Sequence, residues 1–192
     1  MSGYCRVAPG HPVHQPYHDR EYGFPVADEA VLFERLSLEI FQAGLSWEIV
    51  LKKRAALNHA FASFSVDRVA AFDASDLERL LHDAAIIRNR RKIEAVIANA
   101  AQIKALRATS GGFSRWLAGL HPRPHEAWLS QFRETFRFMG AEVVREFLLS
   151  TGYLPGAHAE DCPIYPVILA TAPPWLATAK DARLQVGTGE SP

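Results

Sequence analysis

The segment LSLEIFQAGLSW, from Leu36 to Trp47, puts an acid where the pattern asks for an apolar side chain. Leu32, Leu36, Glu39 and Ala43 follow at steps of four, three and four, which places all four on one face of a helix. A carboxylate on such a face loses its hydration, so it needs a hydrogen bond, a counter-charge, a proton or a function. Aromatic residues gather near the chain start and beside this acid: Tyr4, Tyr17, Tyr22, Phe24, Phe41 and Trp47. Most aromatics are core, and that is the default for Phe33, Phe41, Phe61 and Phe136. Ring faces next to a desolvated carboxylate would nevertheless make a slot for a flat, positively charged heterocycle.

A second group of reactive side chains joins the two ends of the sequence. Cys5 and His18 lie near the start; His158 and Cys162, spaced His-x-x-x-Cys, lie near the end. Two thiolates and two imidazoles suit a structural tetrahedral zinc in which every ligand is a protein atom. By spacing alone the signal is weak, and a buried thiol beside a surface histidine is the default reading. Both cysteines of the chain are used in this set, and a metal there would close a long loop. The basic runs KKR at 52–54 and RNRRK at 88–92 read first as solvated helix ends. Arg88, Arg90, Arg91 and Lys92 also enter a helix, where N–H groups and cations can converge on one phosphate. Gly140, between two helical segments, offers a second site of that kind.

At 192 residues, 48% hydrophobic and 22% charged, the chain can bury a sizeable core. Lys plus Arg and Asp plus Glu both number 21, so net charge does not advertise a nucleic-acid partner. The polar start, with Arg6, His11, His14, His18, Asp19, Arg20 and Glu21, is unlike an export signal. IYPVILATA is too short and too proline-broken to span a bilayer, so a cytoplasmic protein without a membrane partner is expected.

Helical periodicity dominates. Asp28 caps a helix running to about Phe41, with Gly44 as its stop, and Ser46 caps the next, WEIVLKKRAALNHAF. Ser65 starts a short helix, and Ser75 with Glu78 forms a capping-box signature. Ile93, Val96, Ile97, Ala100 and Ile103 make one apolar stripe, ended by Ser110, Gly111 and Gly112. WLSQFRETFRF and AEVVREFLLST read as a helix-hairpin-helix turning at Met139 and Gly140. The reading is a single globular domain over 1–162, with a helical lobe at about 28–110 and a terminal lobe of about 1–27 plus 113–162. Residues 163–192 form a C-terminal extension whose last residues, GTGESP, are expected to be mobile.

Taken together, YHDREYGFP at 17–25, LEIFQAGLSWEIVLKKR at 38–54, DAAIIRNRRKIEAVIANA at 83–100 and the FRFMG turn resemble the bacterial 3-methyladenine DNA glycosylase I family. The terminal Cys, His, His and Cys add to the resemblance, which runs from about residue 4 to Cys162. It implies an all-α, helix-hairpin-helix glycosylase-like bundle whose terminal segments are joined by a structural zinc on Cys5, His18, His158 and Cys162. It also implies base-excision repair: hydrolysis of the N-glycosidic bond of 3-methyladenine or a related alkylated purine in double-stranded DNA, releasing the free base. No lyase activity is expected, because no lysine is placed to attack the sugar. Glu39 matches the base-contacting glutamate and is the candidate catalytic residue; Tyr17, Tyr22 and Trp47 match pocket aromatics. Arg88, Arg90, Arg91, Lys92 and Gly140 are candidate DNA contacts, and a monomer is expected.

Some positions depart from the family pattern. Val7 and His14 stand where aromatics are customary, Tyr22 replaces a tryptophan, and Gly156 and Ala157 replace a polar pair before the third metal ligand. The alternative these departures keep open is a zinc-stabilised, non-catalytic module that binds DNA or damaged bases with the same fold.

Overall fold

The computed structural model describes residues 3–177, and no strand occurs among them. In chain order the helices are α1 (Gly3–Val7), α2 (His14–Arg20), α3 (Glu29–Gln42), α4 (Trp47–Ala60), α5 (Val66–Ala70) and α6 (Ala74–His82). They continue as α7 (Arg90–Ser110), α8 (Phe113–Leu120), α9 (His125–Thr135), α10 (Ala141–Ser150) and α11 (Tyr165–Ala170). Two compact units emerge: residues 26–147, and the terminal segments up to residue 25 and from residue 148. Residues 113–147 therefore belong with the central helices, whereas the sequence reading put them in the terminal lobe. The mobile end expected in GTGESP lies outside the described residues.

Local capping explains most boundaries. Asp28 accepts from the Val31 N–H at 2.9 Å, and Ser46 from the Ile49 N–H at 3.4 Å, starting α3 and α4. Gly44, at φ 81°, turns the chain between them. Asn89 caps α7 through the Lys92 N–H, and Gly111, at φ 77°, closes it. The capping box of α6 is Asp73 with Asp76, two residues before the expected Ser75 and Glu78. Asp73 Oδ1 takes the Ser75 and Asp76 N–H groups and the Ser75 hydroxyl, so the carboxylate displaces serine as the cap.

In the central unit, Leu32, Phe33, Leu36, Phe41, Ile93, Val96, Ala100 and Ile103 are fully buried. After α4 the chain makes a left-handed turn at Ala62, Ser63 and Phe64, with φ of 53°, 56° and 51°. That conformation is unfavourable for residues bearing a Cβ. It brings the rings of Phe61 and Phe64 into a stack at 5.6 Å, with Phe33 edge-on to Phe64, and burial of both rings offsets the strain. A second aromatic cluster joins Phe113, Trp116, Phe132, Phe136 and Phe147, with Phe113 and Phe147 stacked at 5.8 Å.

The terminal unit contains α1, α2 and α11, in segments for which the sequence analysis names no helix. Helices of five to seven residues are too short to display a helical period.

Candidate functional site

Cys5 on α1, His18 on α2, and His158 and Cys162 ahead of α11 converge, one ligand atom from each lying within 4.8 Å of the others. All four are buried. Cys5 Sγ is 3.7 Å from His158 Nδ1, which is 3.4 Å from Cys162 Sγ, itself 3.8 Å from His18 Nε2. Around a tetrahedral ion with bonds of about 2.3 Å to sulfur and about 2.0 Å to nitrogen, ligand atoms stand roughly 3.3–3.8 Å apart. These three edges fit that figure. The remaining ring nitrogens are engaged: His158 Nε2 donates to the Tyr22 carbonyl at 2.8 Å, and His18 Nδ1 to Asp19 Oδ1 at 2.7 Å. These bonds turn His158 Nδ1 and His18 Nε2 toward the sulfurs. The His18 bond also holds the Asp19 carboxyl below the usual range.

Close approach of two loops completes this arrangement. A Cβ on Gly23 would fall 2.8 Å from Ala157 Cβ and 2.9 Å from Ile168 Cδ1, and φ there is 86°. Glycine is therefore required where the 157–158 segment docks. The rings of Tyr17 and Tyr22, both buried, stand 5.9 Å apart, and Tyr22 also meets Tyr4 at 5.3 Å and His158 at 5.7 Å. The candidate aromatic wall and the metal tetrad thus share Tyr22. Val7 is 60% exposed, so no core ring is missed at that position, while His14 packs edge-on against Tyr4 at 5.6 Å.

In the central unit, Glu39 is turned inward as its spacing requires and is 5% exposed. Burial raises its carboxyl to about 8, with Glu146 adding to the shift and Arg35, one turn earlier on α3, opposing it. None of the described residues donates a hydrogen bond to it. At neutral pH the group is held mostly as the acid, in surroundings where an arriving cation would favour ionisation. Trp47, half-buried, opens α4 directly after the break that follows the Glu39 helix.

The basic residues at 88–92 do not act together. Arg88 and Arg91 are exposed. Arg90, also exposed, is paired with Glu78 at 2.9 Å and Glu94 at 3.6 Å. Lys92 corrects the sequence reading: it is buried, and its Nζ donates to the Phe41 and Ala43 carbonyls at 2.8 and 2.5 Å. These are carbonyls that the end of α3 leaves without helical partners, so Lys92 closes that end and is not turned to a phosphate. Lys92→Met should lower stability by about 2 kcal/mol, since one buried and one part-buried acceptor lose their donor. The salt dependence of any duplex binding should stay unchanged; urea denaturation and salt titration check both.

The turn between α9 and α10 spans 136–140 and includes Met139 and Gly140. Gly140 does not adopt a positive φ; Phe138 does, at 65°. Gly140 is exposed, a Cβ on it would meet nothing within 4 Å, and its carbonyl accepts the Val144 N–H at the start of α10.

Residues 7–135 match the methyladenine glycosylase family. The chain belongs to that family. Among its relatives, DNA-3-methyladenine glycosylase 1 of Escherichia coli (strain K12) is 51% identical over 89 residues, covering 46% of this chain and 48% of that protein. DNA-3-methyladenine glycosylase of Haemophilus influenzae is 32% identical over 166 residues, covering 77% of this chain and 89% of that one. The fold matches a crystal structure of a tyrosine-to-phenylalanine variant of 3-methyladenine DNA glycosylase I in complex with 3-methyladenine. The TM-score is 0.77 with 30% identity, over 85% of this chain and 97% of that one. A 3-methyladenine DNA glycosylase I structure from Staphylococcus aureus gives a TM-score of 0.76, also at 30% identity, over 85% of this chain and 96% of that one.

In this methyladenine glycosylase family member one notable polar group escaped the sequence reading. Asn99, fully buried on α7, donates through Nδ2 to the Arg137 carbonyl at 3.1 Å and accepts from the Arg137 N–H at 2.7 Å. The signal was present, for Asn99 lies three residues after Val96 and four before Ile103, on the apolar stripe.

Proposed function

We propose that the chain is a base-excision DNA glycosylase that hydrolyses the N-glycosidic bond of 3-methyladenine or a related alkylated purine, with Glu39 as its base-contacting acid. Methylation at N3 makes the base a cation and a good leaving group. Recognition can then carry much of the catalysis. The nucleotide leaves the stack, at an unstacking cost that is lower for a lesion. Its cation meets Glu39, which gives up its proton to solvent, and Trp47 offers a ring face at the start of the next helix; the resemblance to the family assigns base contacts to Tyr17 and Tyr22 as well. Water bonds to the sugar carbon and releases a proton to solvent, while the electron pair of the breaking C–N bond stays with the base and neutralises it. The observation carrying this reading is a desolvated carboxyl to which none of the described residues donates a hydrogen bond, in a chain of this family. Incubation with alkylated duplex DNA tests it: free 3-methyladenine should appear without strand cleavage, since no lyase step is proposed. Binding without release would make the chain a non-catalytic lesion-binding module.

On the DNA side, Arg88, Arg91 and the N–H groups at Gly140 are the proposed phosphate contacts, through a helix-hairpin-helix formed by α9 and α10. The open space over Gly140 supports close approach of a backbone phosphate. Replacing Arg88 and Arg91 together by alanine should reduce the slope of log K against log salt by about 2. An unchanged slope would remove them from the interface.

The tetrad fits zinc, with Cys5 and Cys162 as thiolates and His18 and His158 as neutral imidazoles. Four protein ligands leave no open position, so the metal supplies cross-linking of the terminal segments and no reacting group. A soluble monomer in the cytoplasm is the proposed working form.

A further inference from the structure

The 136–140 turn is held from α7 by side-chain bonds to backbone. Asn99 uses both ends of its amide on one residue, Arg137, which immediately precedes the left-handed Phe138. Over the Phe138 ring lies Lys92 Nζ, 5.9 Å from its centroid. A third bond comes from α9 itself, Arg133 Nε donating to the Met139 carbonyl at 3.2 Å. Of these groups Asn99 is the one wholly removed from solvent, and its two bonds fix the peptide planes on either side of Arg137. A left-handed conformation at Phe138 is unfavourable for a residue with a Cβ and needs such external restraint. A buried asparagine in a helix interior needs a compensating role, and this one is satisfied by the turn alone among the described residues.

We propose that Asn99 is a positioning residue for DNA engagement: by clamping Arg137 it holds the 136–140 turn in the form that aims the backbone N–H groups near Gly140 at a phosphate. The inference rests on the helix-hairpin-helix reading above. Asn99 touches no substrate and has no part in bond breaking. Loss of the clamp acts on capture of the duplex and leaves the chemical step intact, because Glu39 lies on α3 and the side-chain bonds of Asn99 go to Arg137.

The test uses the full chain with Asn99→Ala, and with Asn99→Ser as a second variant should alanine fail to fold. For a folded variant, affinity for an undamaged duplex should fall at least tenfold and KM on alkylated duplex should rise to match. The single-turnover rate at saturating enzyme and the affinity for free 3-methyladenine should stay within about twofold of the parent. Unchanged duplex affinity in a folded variant overturns the clamp, as does an equal fall in single-turnover rate. Gly140→Glu separates the two layers: if it weakens duplex binding while the Asn99 variants do not, only the clamp falls. If it too has no effect, the hairpin reading falls with it.

Discussion

Replacing Glu39 with glutamine should abolish release of 3-methyladenine from alkylated duplex, by two or more orders of magnitude at pH 8, while the protein stays folded and becomes more stable. The first half follows from the proposed role. An amide keeps the size and polarity of the carboxyl but cannot balance the ring's charge, and removal of one preorganised electrostatic partner typically costs about 10²–10³ in rate. The pH profile sharpens the expectation. The lesion in DNA is a fixed cation, whereas Glu39 titrates near 8 in the free protein. Below that value capture must expel a proton, so kcat/KM should climb with pH and level off near 8. A glutamine variant releasing base at the parental rate would falsify the assignment.

The stability half has the opposite sign from an ordinary carboxylate. The folded value, about 8, lies above the ordinary glutamate value of 4.5, so between them the native state binds more protons than the unfolded chain. Stability contributed by the protonated group is fully present below 4.5 and is lost as pH rises toward 8. At about 1.4 kcal/mol per pH unit, the penalty reaches roughly 3 kcal/mol at pH 7, as an order of magnitude. Glu39→Gln removes it. Melting curves of parent and variant should coincide near pH 4 and diverge progressively to pH 8, with the variant higher. Parallel curves would mean that the carboxyl is solvated.

The second large effect concerns the tetrad. Zinc should co-purify at one ion per chain, and Cys5→Ser combined with Cys162→Ser should remove it and collapse the structure of the terminal unit. Apparent zinc affinities in small structural sites correspond to about 10–16 kcal/mol, far above the ordinary margin of a domain. A fall in melting temperature of more than about 10 °C is therefore expected on substitution or on prolonged chelation. Metal analysis and thermal melts check it. Absence of metal with unchanged melting would leave a hydrogen-bonded cluster of thiols and imidazoles.

Much of this was legible in the sequence because the signals are local or periodic. Glu39 and the α7 stripe announced themselves by spacing, and Asp28, Ser46 and Gly111 by chemistry at helix ends. Lys92 was misread because a basic run looks alike whether its last member faces water or a carbonyl; only the position of the α3 terminus, far away in sequence, decides. The displaced α6 cap reflects competition between two good caps, and the short helices of the terminal unit fall below the length at which a period can be read. The turn at Met139 and Gly140 was legible from the break between two apolar helical segments; the left-handed conformation on Phe138 was not, because it depends on tertiary restraint.

Tyr22 serves the tetrad with its carbonyl oxygen and the stacking wall with its ring. Any amino acid supplies the former, so the ring can be exchanged over evolutionary time without disturbing the imidazole that depends on the backbone. A different ring at position 22 would therefore leave the imidazole's backbone acceptor in place and, in the base-stacking role proposed for it, would act directly on lesion preference.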